Sequence, residues 1–255
     1  MRMFRFVLLL AVLVPAVLVA RRAAVAADAA PSVRPWQTSL SVGLTLTAGN
    51  SETLVANAGL AIEKESKPNL LRAGTEVSYG ETVVETESGA TDRETTMQNA
   101  KAYANYKRAF ARAFGYLDGA ALHDEIADVQ YRVIVGPGIG WFAIDSERAK
   151  LSLEFGPGWL TEEVANEQDD MFTARVAERF SYHLSKTAKL WQSLEYLADS
   201  ADLDDYLLNA EFGVEAAVNS HLSLRLVVQD KYDSVPAEAR DENDLTVIGG
   251  LSYRL

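Results

Sequence analysis

The residue types that most often carry out catalysis are scarce in this chain of 255 residues. It contains three histidines and no cysteine, which excludes disulfides, thiol nucleophiles, thiolate metal sites and a lipidated N-terminal cysteine. Two of the histidines stand two residues before a serine, as His183 with Ser185 and His221 with Ser223. In a β-strand this spacing places both side chains on one face, where a histidine can serve as the base for a serine nucleophile.

Both His-x-Ser pairs have a spacing that resembles the dyad of twelve-stranded outer-membrane phospholipases. The surrounding sequence does not extend the resemblance, because no Asn-Gly segment follows either Ser185 or Ser223. Both pairs also adjoin short turns that we expect on the inner side of the membrane, away from outer-leaflet lipid. We therefore predict no catalytic residue, and an outer-membrane lipid-active hydrolase using a His-x-Ser pair stays an alternative.

Acidic segments offer the only other candidate chemistry. His123-Asp124-Glu125 and the cluster of aspartates between Asp199 and Asp205 have oxygen ligands, but neither has the spacing of an EF-hand loop. The chain also lacks a phosphate-binding glycine loop and a His-Glu-x-x-His motif. We predict solvated acidic loops, no metal site and no cofactor. The net charge of −12 argues against a nucleic-acid partner, which requires a basic face.

The N-terminus has the order of features of a secretory signal. Arg2 and Arg5 precede the apolar run from residue 6 to residue 20, and small residues follow at positions 23–27. This run is shorter than the roughly 20 residues of a membrane-spanning helix. We predict a signal peptide over residues 1–27 and a short linker over residues 28–35, with residues 36–255 forming one exported domain.

From Trp36 onward the hydrophobic pattern has a period of two, which is typical of β-strands. Near the C-terminus, for example, Leu224 and Leu226 alternate with Ser223 and Arg225. About twelve such segments occur, each longer than the five or six residues of an ordinary globular strand and long enough for the roughly nine to eleven that cross a bilayer obliquely. We predict an all-β fold, a single closed antiparallel up-and-down transmembrane β-barrel of about 12 strands.

The connections between these segments alternate in length. The even-numbered connections are short and lie at residues 67–69, 108–110, 145–147, 186–187 and 219–220. The odd-numbered ones after the first are mostly longer and acidic, at residues 84–93, 123–128, 162–170, 200–205 and 234–243. Short inner turns and long outer loops are typical of outer-membrane barrels. The alternative is a soluble periplasmic β-barrel that binds an apolar ligand inside.

Charged residues of both signs alternate with the apolar face and are predicted to line the lumen. These candidates are Arg72, Glu76, Arg175, Arg179, Glu211, Glu215, Arg225 and Lys231. Polar residues inside a barrel either pair with one another as a plug or line a narrow water path.

A Gly-Pro-Gly element is the one sequence motif that we find repeated in the chain. It occurs as Gly136-Pro137-Gly138 and Gly156-Pro157-Gly158, about equally far from the turn at residues 145–147. We expect the two elements at similar height on adjacent strands, as bends that make room for a large inward side chain from across the barrel. A gap that admits a ligand to the lumen is the alternative.

The two ends of the exported domain resemble a known family. The segment from Trp36 to Gly49-Asn50-Ser51, the segment Asp202 to Tyr206, and the closing segment from Asp230 to Leu255 are similar to the YdiY-like proteins, described as salt-induced outer-membrane proteins. The resemblance implies location in the cell outer membrane, with outer-membrane lipid, lipopolysaccharide and the barrel assembly machinery as partners. It implies no reaction, so we expect a structural, envelope-stress or narrow-pore role.

Overall fold

The structure is a computed structural model that describes residues 36–47, 52–85, 91–237 and 240–255. The predicted signal peptide and linker, residues 1–35, lie outside the described residues. Within the described ranges, no helix is long and apolar enough to span a membrane.

Twelve β-strands account for nearly all of the described chain. Their bounds are β1 Gln37–Thr47, β2 Glu52–Ser66, β3 Asn69–Glu85, β4 Thr91–Phe110, β5 Ala113–Asp124, β6 Val129–Asp145, β7 Ala149–Val164, β8 Glu167–His183, β9 Ala188–Asp199, β10 Tyr206–Ala217, β11 Leu222–Asp233 and β12 Asn243–Arg254.

Each strand pairs antiparallel with its neighbours in sequence, and β1 pairs with β12 to close the barrel. The closing seam is short, because its register runs only from Ser39–Arg254 to Gly43–Gly250, whereas β1 stays paired with β2 as far as Thr47. Closure leaves no free sheet edge along the paired length, as a membrane barrel requires. The prediction of an up-and-down antiparallel barrel of twelve strands is confirmed.

The barrel is apolar outside and polar inside. On the outer face Ile139 is 71% exposed and Phe172 65%, whereas on the lumen face Glu154 is 0% exposed and Arg175 7%. A water-soluble barrel has the opposite distribution, because exposed apolar area costs roughly 25 cal/mol per Å² in water. The outer face is therefore suited to contact with the hydrocarbon interior of a lipid bilayer.

Aromatic side chains mark both ends of the apolar outer face. Trp36, Phe110 and Trp141 are exposed near one end. At the other end the rings of Tyr196, Tyr206 and Tyr232 follow one another with centroids 5.2 and 5.7 Å apart. Such belts sit at the two membrane interfaces, where a ring is partly apolar and partly hydrated.

Several outer connections are shorter than predicted, most clearly in one hairpin. Strands β7 and β8 extend to a tight turn at Ala165 and Asn166, both with positive φ (52° and 63°), so most of residues 162–170 is strand. Two consecutive left-handed residues form the hairpin turn that matches the twist of antiparallel strands. The acidic residues Glu162, Glu167 and Asp169 are thereby held on a rigid hairpin at the outer mouth.

Candidate functional site

The two Gly-Pro-Gly elements lie directly opposite each other on β6 and β7. The register runs from Val135–Trp159 to Ile139–Phe155, and regular pairing is interrupted between these two pairs. Pro137 and Pro157 are exposed on the outer face, and neither can donate a hydrogen bond to the ladder. Their flanking glycines therefore point into the lumen.

Two lumen-face glycines of β6 make room for aromatic rings from the adjacent strand β5. A Cβ atom added to Gly138 would lie 2.1 Å from the ring of Tyr116, and one added to Gly140 would lie 2.1 Å from the ring of Phe114. The bulky side chains thus come from a neighbouring strand and not from across the barrel as expected. Both rings are buried and lie over the glycines of β6, which they cover in place of side chains.

An ion-pair network is centred on Arg175 of β8. Its guanidinium donates to Glu154 at 3.1 Å, to Glu195 at 2.5 Å and to the Tyr116 hydroxyl at 3.0 Å, and it lies 3.3 Å from Asp118. These partners come from β5, β7 and β9. One side chain therefore connects four strands across the lumen.

Two further cations complete this network at Glu154. Lys107 of β4 donates to Glu154 from 47 residues away in sequence, and Arg179 Nε lies 3.4 Å from the same carboxylate. The network contains three cations and three carboxylates, so its formal charge is balanced. Removing one partner from such a buried set leaves an uncompensated charge, which typically costs about 3–5 kcal/mol.

A second, smaller cluster lies around Trp191 of β9. Glu211 accepts hydrogen bonds from the Trp191 indole at 2.6 Å and from Gln229 at 3.0 Å. Arg225 lies 5.1 Å from the centre of the Trp191 ring, in cation–π distance, and 3.6 Å from Glu215. The lumen faces of β5 to β10 are therefore largely filled, and we call this region the filled wall.

Apart from Lys107, which joins the buried network, the lumen faces of β1 to β4 are different, and we call them the open wall. Arg72 and Glu76 of β3 and Lys101 of β4 are exposed although they share the lumen face. Gly59 of β2 lies next to Glu76, because a Cβ added to Gly59 would lie 3.6 Å from Glu76 Cγ and 2.7 Å from Ser41 Oγ. Exposure on an inward face means that solvent-accessible space lies next to these side chains.

The remaining sequence candidates lie in smaller contacts. Arg72 pairs with Glu63 at 2.6 Å in the open wall. Lys231 of β11 lies 3.8 Å from Asp124, near the outer end of the barrel. The structure thus brings Arg175 and Arg179 into one cluster, and places the other candidates along the lumen away from it.

A cavity of about 460 Å³ opens at the outer end of the lumen. Its upper part is formed by the ends of β6 to β11 and their connections, with Arg132 as its one cationic side chain. Arg132 pairs with Glu162, and its second nitrogen lies 3.0 Å from Asp233.

Neither His-x-Ser pair forms a hydrogen-bonded dyad within the described residues. Ser185 Oγ accepts from the backbone nitrogens of Thr187 and Ala188 at 3.2 and 3.0 Å, as an ordinary turn cap. His221 bonds Ser220 at 2.8 Å, whereas Ser223 lies in register with Ser252. No geometry in this part of the chain activates either serine.

Several network residues were missed by the sequence interpretation, although the signal was available. Asp118, Glu154 and Glu195 fall on the same alternation that was used to select Arg175. Glu154, for example, lies two residues from Ser152 between the outward Leu153 and Phe155. Lys107 could not be selected in this way, because its bond to Glu154 depends on the absence of side chains on β6 between them.

The fold and its polar lumen define a β-barrel of the outer-membrane class. The chain belongs to the family described as "Protein of unknown function, DUF481", whose model matches residues 40–255. The finer assignment to the YdiY-like proteins goes beyond this match. Comparison with curated proteins finds no match.

Solved structures with similar folds are porins and other outer-membrane proteins. A structure of the NanC porin is 9% identical, covers 86% of this chain and 100% of its own, and gives a TM-score of 0.53. The KdgM porin is 10% identical over 86% and 98% of the two chains, with a TM-score of 0.47. OmpT of Vibrio cholerae is 11% identical over 87% and 97%, with a TM-score of 0.41. At these identities the NanC similarity concerns the fold.

Proposed function

We propose that this protein is a narrow water-filled pore of the outer membrane. The observation that carries the proposal is the exposure of Arg72, Glu76 and Lys101 on the lumen side of the open wall. Charged side chains in a lumen remain accessible where water can enter, and rings of such side chains tune the selectivity of a pore. The filled wall narrows the path to one side of the barrel.

Export and membrane insertion follow from the same proposal. The signal at residues 1–27 directs the chain out of the cytoplasm, and the barrel over residues 36–255 inserts into the outer membrane. Its apolar outer face and aromatic belts suit contact with outer-membrane lipid, and its acidic outer connections face the lipopolysaccharide. The barrel assembly machinery is the partner for insertion, with Tyr253 and Leu255 in the last strand and tail.

Single-cysteine variants give a sharp test, because the chain has no native cysteine. Glu76→Cys places a thiol on the open wall, and Thr75→Cys places a matched thiol on the exposed outer face one residue away. Each variant is reconstituted into planar bilayers and treated with a cationic, membrane-impermeant thiosulfonate reagent. We expect stepwise single-channel currents in both variants and a fall in current after labelling of Glu76→Cys only.

One outcome contradicts the pore, and a second contradicts only the placement of its path along the open wall. A folded barrel that carries no current at any voltage would instead support a structural role, for which the filled wall is suited as a plug. Equal loss of current in Thr75→Cys and Glu76→Cys would show that the reagent does not act through the lumen.

An envelope-stress role is the second candidate, and the YdiY-like resemblance of the terminal segments favours it. We propose that the protein is induced by salt, as described for those relatives. Its transcript level is measured before and after a shift to high salt. A several-fold rise is expected, and an unchanged level contradicts this role without bearing on the pore.

A further inference from the structure

The cavity at the outer mouth has an acidic rim and an apolar floor. Its rim carries six carboxylates against one arginine, Arg132. The carboxylates are those of Glu162, Glu167, Asp169, Asp199, Asp205 and Asp233. Arg132 pairs with Glu162 and Asp233, so the rim keeps a clear excess of negative charge.

Asp205 is the most informative of these carboxylates. It lies in the connection between β9 and β10, half-buried, and its side chain forms no ion pair with a cation among the described residues. Burial, followed by the nearby charges of Asp233 and Asp199, raises the pKa of Asp205. A carboxylate that is desolvated among other carboxylates is stabilised by any cation that enters the cavity.

The floor of the cavity is apolar. Leu160 is in register with Met171, and Leu197 with Leu207, and these four apolar side chains all line the cavity. Thr173 also lines the cavity, is 3% exposed, and has a hydroxyl with no hydrogen-bond partner in the structure. An apolar floor with an unsatisfied hydroxyl suits a ligand that has both a carbon body and a donor group.

A bare metal ion does not suit this arrangement. Within the described part of the chain, no three histidine, aspartate or glutamate side chains come close enough together to hold a metal ion. The rim charges surround the floor instead of converging on one point. A ligand that matches them carries its positive charges apart from one another, joined by apolar carbon.

We propose that this cavity binds organic cations in which ammonium groups are carried on an apolar carbon chain. Its volume of about 460 Å³ lies within the range of roughly 300–1,000 Å³ for small-molecule sites. The inference rests on the proposed function only in placing the cavity at the outer entrance of a pore. Binding at the cavity does not require that the lumen conducts.

Calorimetric titration of the folded protein in non-ionic detergent micelles tests the proposal directly. The probes are 1,8-diaminooctane, 1,3-diaminopropane and Mg²⁺, all doubly charged and compared at equal ionic strength. We expect 1,8-diaminooctane to bind at least about ten-fold more tightly than 1,3-diaminopropane, because burying one methylene contributes about 0.8 kcal/mol and the two differ by several. Mg²⁺ is expected to bind more weakly than 1,8-diaminooctane.

Matched variants locate the binding. Asp205→Asn removes one rim charge, whereas Asp204→Asn removes the same charge from an exposed neighbour that does not line the cavity. We expect Asp205→Asn to weaken 1,8-diaminooctane by about five-fold, as for a partly desolvated charge pair, and Asp204→Asn by less than two-fold. Met171→Thr, which makes the floor more polar, should weaken the long diamine and leave Mg²⁺ unchanged.

Equal affinities for the three probes, or equal effects of Asp205→Asn and Asp204→Asn, would overturn the proposal and show only general attraction to an acidic mouth. The proposed pore function is contradicted by a different result, the absence of current in planar bilayers. Binding without current therefore rejects the pore and keeps the site, and current without selective binding does the reverse.

Discussion

The filled wall and the open wall of the lumen are made from similar residue types but differ in what the charges touch. In the filled wall, Glu154 is fully buried and bonded to three cations. In the open wall, Glu76 is exposed and lies opposite Lys101 in register. The same inward alternation of charge thus gives a plug on one side and a hydrated surface on the other.

The difference comes from the neighbours of the inward glycines. Gly138 and Gly140 lie beside the large rings of Tyr116 and Phe114, which fold into the vacant space and exclude water. Gly59 instead lies beside the small Ser41, whose Oγ would be 2.7 Å from an added Cβ, so only a short side chain covers this part of the lumen face. One aromatic, Tyr103 over Gly74, interrupts the open wall. A glycine therefore closes or opens a lumen according to the side chain on the strand next to it.

The largest expected contrast between the walls concerns their arginines. Arg175→Met removes the centre of the buried network and leaves Glu154 and Glu195 short of a partner, which should cost about 3–5 kcal/mol. Arg72→Met removes an exposed pair with Glu63 and should cost less than about 1 kcal/mol. The free energies of unfolding are measured by urea titration in lipid vesicles. Equal losses in the two variants would mean that the network does not hold the filled wall together.

A smaller effect is expected from one methyl group in the filled wall. Gly138→Ala places a Cβ 2.1 Å from the Tyr116 ring, and overpacking of this kind costs about 1–3 kcal/mol. Gly249→Ala is the matched control, because an added Cβ there meets nothing within 4 Å. The same unfolding assay compares them. If Gly138→Ala were as stable as Gly249→Ala, the ring would not be confined by the missing side chain.

The sequence was sufficient for the barrel, because period-two alternation and strand length are local properties. The alternation that selected Arg175 and Glu76 carried no information on which one would be buried. That distinction depends on Tyr116 lying over Gly138, a contact across strands whose register the sequence does not show. The outer hairpin at Ala165 and Asn166 was also missed, since neither residue is a glycine although both adopt positive φ.

The open wall should respond in conductance and not in stability. Glu76→Lys reverses an exposed lumen charge, and Glu76→Gln provides the neutral intermediate. We expect the reversal potential in a salt gradient to shift toward anions in the order Glu, Gln, Lys, with a change in permeability ratio on the order of two-fold. The free energy of unfolding should stay within about 0.5 kcal/mol, as for a surface substitution. A large loss of stability would show that Glu76 is paired and the open wall is closed.

The smallest effect is expected at the outer mouth, where Asp205 stands apart from both walls. Its raised pKa means that the folded protein holds this proton more tightly than the unfolded chain. Stability should therefore fall as pH rises from about 4, the ordinary aspartate value, through the folded pKa. Asp205→Asn should reduce this slope and leave the barrel slightly more stable at neutral pH, whereas Asp204→Asn should keep the slope of the native protein. Thermal unfolding between pH 4 and pH 7 measures both. A steeper slope in Asp205→Asn would show that Asp205 stabilises the mouth, and its carboxylate would then not be free to receive a cation.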